Sequence, residues 1–451
     1  MNFDYIVIGA GPGGYSSAIR AAQLGLKTAV VERENAGGVC LNWGCIPTKA
    51  LLTSAHLKHD AGKLGIQVSG SVQADLPSII DRSRQVAARL QTGVKSLFKK
   101  YGVTLIEGSA TFTAKNTIKV KNPTGETTLN FKNACIATGA RARALPQLPF
   151  SQRVWQYRDA LTVKKLPTSL IVVGGGAIGL EFADFYRCLG SEVTVIEMAP
   201  HILPNDDVKV ASHLRKALEQ RGMKFLEGAA ITTLKENANG VSLTLKDSAG
   251  KDTTLDAAVL LVAIGVQPNT EELGIDAWGI CNDKKFITVD ENFCTQEKNI
   301  FAIGDVTQGK LLAHRAAHQG IYVAEFLAGK NPRQIPAIPS CIYTSPQVAA
   351  VGMNEKELKE IKREYEMGEF PWLASGMAIA AGEQNAFTRV FTDKKTGEIL
   401  GAQVVGENAA ELIGQVSLAM ASELLAEDFL HAVFPHPTLA ETIPEAFGVL
   451  M

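Results

Sequence analysis

Short apolar runs punctuated by glycine open the chain and come back later in it. Tyr5-Ile6-Val7-Ile8 is continuous rather than alternating, the pattern of a strand covered on both faces of a parallel sheet. It runs into Gly9-Ala10-Gly11-Pro12-Gly13-Gly14. A helix is expected over residues 15–24, a stop at Gly25, a second strand over 27–31 and an acid, Glu32, at its end. The pattern then repeats. Leu170-Ile171-Val172-Val173 leads into Gly174-Gly175-Gly176-Ala177-Ile178-Gly179, a helix, Gly190, and a strand closing at Glu197. One constant offset carries Gly9, Gly11, Gly14, Ala18, Gly25 and Glu32 onto Gly174, Gly176, Gly179, Ala183, Gly190 and Glu197.

Between the units the periodicity changes. Residues 51–100 read as two long helices, the one begun at Pro47 and another over 76–98. Residues 102–120 and 127–136 read as strands of a small antiparallel insertion, and Cys135-Ile136-Ala137-Thr138-Gly139 as a buried strand returning to the first sheet. Residues 141–149 read as a crossing loop. Strands near Lys224, Val241 and Leu260, ending at Ala263-Ile264-Gly265, echo the same plan. After three prolines between 332 and 339, the remainder mixes strands (342–343, 388–391, 399–405) with helices (355–362, 409–425). It has no glycine fingerprint and an apolar face in need of a partner.

Each repeated unit has the form of a dinucleotide site. The first glycine makes the turn, the second admits a pyrophosphate to the backbone, and the third lets helix and strand lie close. The acid takes a ribose hydroxyl. A lone G-x-G-x-x-G is weak, but two in register with strand, helix and acid are not. The expected fold is α/β, with two Rossmann-like dinucleotide-binding domains and a C-terminal α+β dimerisation domain. The expected divisions are 1–145, 146–265, a central segment 266–336 completing the first site, and 337–451.

Composition narrows the classes. A formal charge of -1 gives no electrostatic reason to expect nucleic acid or an anionic membrane. No apolar run is long enough to span a bilayer, and the N-terminus enters a strand without a leader-like stretch. Seven cysteines, five of them scattered singly, fit a reducing, cytoplasmic setting and not a secreted disulfide framework.

The other two cysteines carry the chemistry. In Gly37-Gly38-Val39-Cys40-Leu41-Asn42-Trp43-Gly44-Cys45-Ile46-Pro47-Thr48-Lys49, the proline marks a helix start, which puts Cys45 at the positive end of a helix dipole. Gly44 lets the chain bring Cys40 back to it. A redox-active disulfide follows. Two structural cysteines would leave the glycines unexplained, and a zinc site needs a second ligand pair. A cofactor beside this pair must exchange electrons with sulfur, so FAD belongs to the first unit and a nicotinamide nucleotide to the second. Glu197, with no arginine after it, favours NAD over NADP. Asp305 ends the apolar strand 300–303 and is placed to bond the flavin. A helix over 311–327, with Ala313 in its first turn, aims its N-terminus the same way. Gly139 and Gly265 close the corresponding strands of the FAD and NAD halves.

Near the end, Phe434-Pro435-His436-Pro437-Thr438-Leu439-Ala440-Glu441 holds a histidine extended between prolines, with an acid in the following turn. Glu441 is placed to fix one imidazole nitrogen so that the other serves as a base. No comparable histidine–acid pair is legible elsewhere.

On these four stretches (37–49, 174–181, 295–305 and 436–441) the chain resembles the FAD-dependent pyridine nucleotide–disulfide oxidoreductases, class I, over essentially its whole length. The resemblance implies oxidation of a small dithiol, the dihydrolipoyl group of 2-oxo acid dehydrogenase or glycine cleavage assemblies, with reduction of NAD. It implies a homodimer in which His436 and Glu441 of one subunit complete the site built by Cys40 and Cys45 of the other. It also implies a Lys49–Glu181 pair near the flavin. Trp43 stands where relatives often carry a smaller residue, and Gly265-Val266-Gln267-Pro268-Asn269 lacks an arginine usual there. Glutathione- or trypanothione-type reduction is the nearest alternative, and Glu197 argues against its NADP. Mercuric reduction lacks the C-terminal cysteine pair it would need. A mainly docking role in a multienzyme complex is compatible with catalysis.

Overall fold

Strand β1 (Asn2–Ile8) is hydrogen-bonded on both sides. It runs parallel to β2 (Thr28–Glu32), with Val7 opposite Val30, and parallel to β6 (Gly125–Ile136), with Val7 opposite Cys135. Tyr5, Ile6 and Val7 are wholly buried, as a strand covered on both faces requires. The structure, a computed structural model, describes residues 1–62, 64 and 66–450.

Two compact units make up the chain. The first gathers Met1–Ala50, Ile80–Arg143 and Val266–Ile335. Its parallel sheet runs β3 (Thr104–Glu107), β2, β1, β6, with the strand Ile300–Ala302 on the far side of β6. The expected antiparallel insertion is smaller than 102–136. β3 joins the parallel sheet beside β2, and only β4 (Ser109–Ala114), β5 (Thr117–Asn122) and the first half of β6 form the meander. Helix α1 (Pro12–Gln23) packs against the helix Ala313–Leu327 at a glycine contact, where a Cβ on Gly320 would lie 2.3 Å from the Gly13 carbonyl oxygen. The expected crossing loop at 141–149 begins instead with a strand, Ala140–Ala142, paired antiparallel with Val266–Pro268.

The second unit gathers Leu51–Ile79, Ala144–Gly265 and Pro336–Met451. Its parallel sheet orders Lys224–Glu227, Glu192–Glu197, Ser169–Val173, Val259–Val262 and Val154–Trp155. A separate antiparallel sheet, Ala230–Asn237, Gly240–Lys246 and Asp252–Ala257, repeats the meander of the first half. The C-terminal segment folds on five antiparallel strands in the order Ser340–Ile342, Gln347–Gly352, Ile399–Gly406, Phe387–Asp393, Tyr365–Pro371. Trp372, Val390, Val404, Ile413 and Phe447 fill its core. Gln347–Gly352 and Tyr365–Pro371 are strands the sequence did not announce. The latter, at the sheet edge, carries two glutamates and a proline, the residues that blunt an edge and weaken its strand signal. Among the described residues no helix is long and apolar enough to cross a membrane.

Candidate active site

Both glycine loops have the shape of a phosphate cradle. Gly9 and Gly174 have φ of +103° and +109°, and a Cβ on either would lie 2.4 and 2.3 Å from a carbonyl oxygen of the neighbouring strand. On Gly14 and Gly179 it would lie 1.9 and 2.1 Å from the carbonyls of Gly9 and Gly174. The middle glycines differ. At Gly176 nothing stands within 4 Å, and at Gly11 the nearest atom is 3.9 Å away. Each middle glycine caps its helix without a side-chain hydrogen bond, leaving first-turn N–H groups to an anion. These loops fit two dinucleotides.

The acids sit in equivalent settings. Glu32 accepts from the N–H groups of Ala10 (2.7 Å) and Glu34 (2.8 Å), and Glu197 from those of Gly175 (2.8 Å) and Ala199 (2.7 Å). Two N–H donors fix each carboxylate while lone pairs remain for a ribose. Beside Glu32 lies a cavity of about 370 Å³ bordered by Gly9, Ala110, Thr138, Arg141 and Glu271. Arg141 bonds Asn269 (2.8 Å) and Glu271 (2.8 and 2.9 Å), so a guanidinium from the opposite strand serves the turn that lacks its own arginine. Those bonds hold the Glu271 carboxyl down to about 2. Gly139 and Gly265, both at positive φ, face open space at the ends of their strands. Asp305 lies in a single 3-10 turn (Gly304–Val306) after its strand. Burial raises its carboxyl above the ordinary range, against the pull of Arg315. Ala313 opens its helix behind an uncapped Leu312.

The cysteines share one corner. Cys40 lies in a six-residue helix, α2 (Gly38–Trp43), which the sequence did not foretell. Cys45 is the first residue of α3 (Cys45–Asp60), two positions ahead of Pro47. Both are thiols in this structure, and their side chains are hydrogen-bonded to each other. That bond, burial and the charge of Cys45 raise Cys40 far above an ordinary thiol, while Lys49 pulls the other way and Asp305 adds to the rise. Of the two sulfurs, that of Cys45 is the one at a helix N-terminus. Tyr15, raised first by burial and then by the two sulfurs, borders them. Nothing in the sequence singled it out.

At the other end of the chain, His436 Nδ1 lies 2.8 Å from Glu441 Oε1, and Glu441 Oε2 accepts from the Thr438 N–H at 2.7 Å. These bonds, the backbone one first, hold the Glu441 carboxyl below its usual range. The His436 side chain is 79% exposed, so its other nitrogen is open to a ligand. The expectation of a single histidine–acid pair is overturned. His56 Nε2 lies 2.7 Å from the fully buried Asp184, whose carboxylate also meets Arg221 (3.2 Å) and the Ser345 N–H (3.1 Å). The two residues stand 128 positions apart, so spacing could not disclose them. Glu181, one turn before Asp184, is buried and accepts from the Tyr343 N–H at 3.1 Å.

Known proteins resemble this chain along its full length. Residues 3–320 match the family model described as pyridine nucleotide-disulphide oxidoreductase, and 338–447 match that family's dimerisation domain. A dihydrolipoyl dehydrogenase of Rhizobium etli is 44% identical over 99% of this chain and 97% of its own length. One from Zymomonas mobilis is 42% identical over 99% and 97%. Among solved structures, LpdA from Mycobacterium tuberculosis superposes with a TM-score of 0.92 at 28% identity, covering 99% of this chain and all of that one. The HOCl-induced flavoprotein disulfide reductase RclA from Escherichia coli, in its Cu(II) complex, gives 0.89 at 26%, covering both chains completely. Two glycine cradles, a paired dithiol and these full-length matches lead to one statement: the chain belongs to the pyridine nucleotide–disulphide oxidoreductase family.

Proposed function

We propose that the chain is a dihydrolipoyl dehydrogenase, oxidising dihydrolipoyl groups with NAD through the Cys40–Cys45 pair. The contact between those two side chains carries the reading, and the names of the full-length relatives choose the substrate. The active unit is a homodimer, in keeping with the dimerisation-domain match. There His436 of the partner subunit faces the sulfurs, and lipoylated protein domains deliver the dithiol. Residues 1–145 with 266–336 hold FAD through Gly9, Gly11, Gly14, Glu32, Lys49, Gly139, Asp305 and Ala313. Residues 146–265 hold NAD through Gly174, Gly176, Gly179, Glu181, Glu197 and Gly265, and 337–451 form the subunit interface.

In the oxidised protein Cys40 and Cys45 share a disulfide. His436, its ring fixed by Glu441, removes a proton from one substrate thiol. The thiolate attacks Cys40 Sγ, the S–S bond breaks, and Cys45 leaves as a thiolate stabilised by its helix N-terminus. The second substrate sulfur then displaces Cys40, which takes up a proton. Lipoyl disulfide departs, and two electrons remain on the protein dithiol. When bound, FAD supplies the two-electron link between that dithiol and NAD. Lys49 and Glu181 are assigned to the same region, as positioning residues.

One matrix of assays tests the reading: NADH or NADPH oxidation with lipoamide or glutathione disulfide, each pair in turn. Turnover confined to NADH with lipoamide is the expected result. Preference for NADPH with glutathione disulfide would replace it with the glutathione-type alternative.

A further inference from the structure

Trp43 stands between the two cysteines, and the reaction described above gives it nothing to do. In the structure its indole is held on two sides. Nε1–H donates to Glu34 at 2.7 Å, and the Arg84 guanidinium lies over the ring at 4.6 Å from its centroid. Glu34 is itself tied to Glu32, which accepts its N–H. Arg84 comes from α4 (Leu76–Tyr101), and its Nη2 donates to the Asn42 carbonyl, at the end of the helix that carries Cys40. Among the described residues, Arg84 Nη1 is buried without a hydrogen-bond partner, so the guanidinium sits where stacking, not full hydrogen bonding, decides its place. Its neighbour Ser83 donates to the Pro47 carbonyl (3.1 Å), in the first turn of the helix that carries Cys45. Two successive residues of α4 therefore bond the backbone of both helices on either side of Gly44.

We propose that Trp43 and Arg84 are positioning residues for the redox pair: their stack holds the turn between the two cysteine helices in the shape that keeps Cys40 and Cys45 in contact, and so sets the balance between dithiol and disulfide. The inference rests on the redox reading of the pair. Its physical basis is effective concentration. A disulfide forms more readily when its sulfurs are held together before they react, and a looser turn shifts the balance towards the two thiols. Arg84 acts through the backbone. Its hydrogen bond is to the Asn42 carbonyl and not to either sulfur.

The test equilibrates the holoprotein, without oxygen, in glutathione buffers of graded composition. Glutathione disulfide and the two protein thiols give the Cys40–Cys45 disulfide and two glutathione thiols, the protein protons passing to the thiolates that leave. Acid quenching, alkylation and mass spectrometry of the peptide bearing both cysteines give the equilibrium constant. Arg84→Ala and Trp43→Leu are expected to lower it about tenfold, equivalent to about 30 mV for a two-electron couple. Arg84→Lys should not restore it, because an ammonium cannot stack flat and reach the carbonyl together. Trp43→Phe, which keeps the ring, should fall by less than Trp43→Leu. A role in folding alone would lower thermal stability and leave the constant where it was. A change under threefold, or a rise, in Trp43→Leu overturns the proposal, and that variant decides alone if Arg84→Ala yields no yellow protein. A wild-type pair that stays reduced in every buffer defeats instead the redox reading beneath it.

Discussion

The Glu441 carboxylate is shared between His436 and the turn that follows it, one oxygen 2.8 Å from Nδ1 and the other 2.7 Å from the Thr438 N–H. The histidine's orientation and the helix start are thereby one unit, which explains an acid five residues beyond the histidine. Replacing His436 with Gln is expected to lower lipoamide turnover by about 10²–10⁴, the usual worth of a general base. Glu441→Gln, which weakens one charged hydrogen bond, should cost about tenfold. NADH oxidation by a one-electron acceptor, which needs no sulfur chemistry, should survive in both, and steady-state kinetics with each acceptor checks it.

The cradle glycines predict two separable defects. A methyl on Gly14 would meet the Gly9 carbonyl at 1.9 Å, and one on Gly179 the Gly174 carbonyl at 2.1 Å. Backbone lies on both sides, so neither can relax cheaply. Gly14→Ala is expected to give protein without bound flavin, seen as loss of visible absorbance. Gly179→Ala should stay yellow and raise the KM for NAD at least tenfold.

Glu197 predicts the choice of nucleotide. Its two oxygens already take the Gly175 and Ala199 N–H groups, which locks a negative charge beside the glycine loop proposed to hold NAD, where an added 2′-phosphate would be repelled. The kcat/KM for NAD should exceed that for NADP by about 100-fold or more, since like-charge juxtaposition costs several kcal/mol. Glu197→Gln should narrow the ratio chiefly by improving NADP.

Asp184 and Arg221 predict a stability effect. Asp184 is fully buried and Arg221 nearly so, and removing one partner of such a pair typically costs about 3–5 kcal/mol. Arg221→Met should lose that much in urea unfolding. Arg221→Met with Asp184→Asn should recover part of it, because no uncompensated charge then remains.

Alkaline conditions should weaken the fold. Burial pushes Cys135 and Cys188 from an ordinary 9.0 up to about 12. Between those values the folded chain keeps protons that the unfolded chain has lost. The stability these thiols contribute is present in full below about 9 and is lost as pH rises towards 12, at up to about 1.4 kcal/mol per pH unit for each. Denaturant midpoints at pH 8 and pH 10.5 should show the fall, and Cys135→Ala should reduce it.

What could be read in advance divides along physical lines. Gly9, Gly14 and their counterparts were legible because a carbonyl oxygen 1.9–2.4 Å from where a Cβ would lie leaves one residue type possible. Cys40 with Cys45, and His436 with Glu441, were legible because each pair lies within one local turn. His56 and Asp184 were not, nor was Arg84 over Trp43. Those contacts depend on where α3 and α4 pack, which local spacing does not encode. The edge strand Tyr365–Pro371 stayed hidden because its glutamates and proline, fitted to an exposed edge, look like loop. Arg141 explains why an arginine missing near Val266 leaves no gap, and only the pairing of Ala140–Ala142 with Val266–Pro268 brings it there.

The central claim is that a dihydrolipoyl dithiol passes its electrons to the Cys40–Cys45 disulfide. Mixing air-oxidised holoprotein with limiting dihydrolipoamide under nitrogen, then quenching and counting alkylated cysteines by mass spectrometry, tests it most directly in protein without NAD. Label appearing on Cys40 and Cys45 in proportion to lipoamide formed, with the labelling of Cys135 and Cys188, thiols before and after, unchanged, is the predicted result. Lipoamide formed while that pair stays oxidised, or while a Cys45→Ser variant turns over at the wild-type rate, would contradict it.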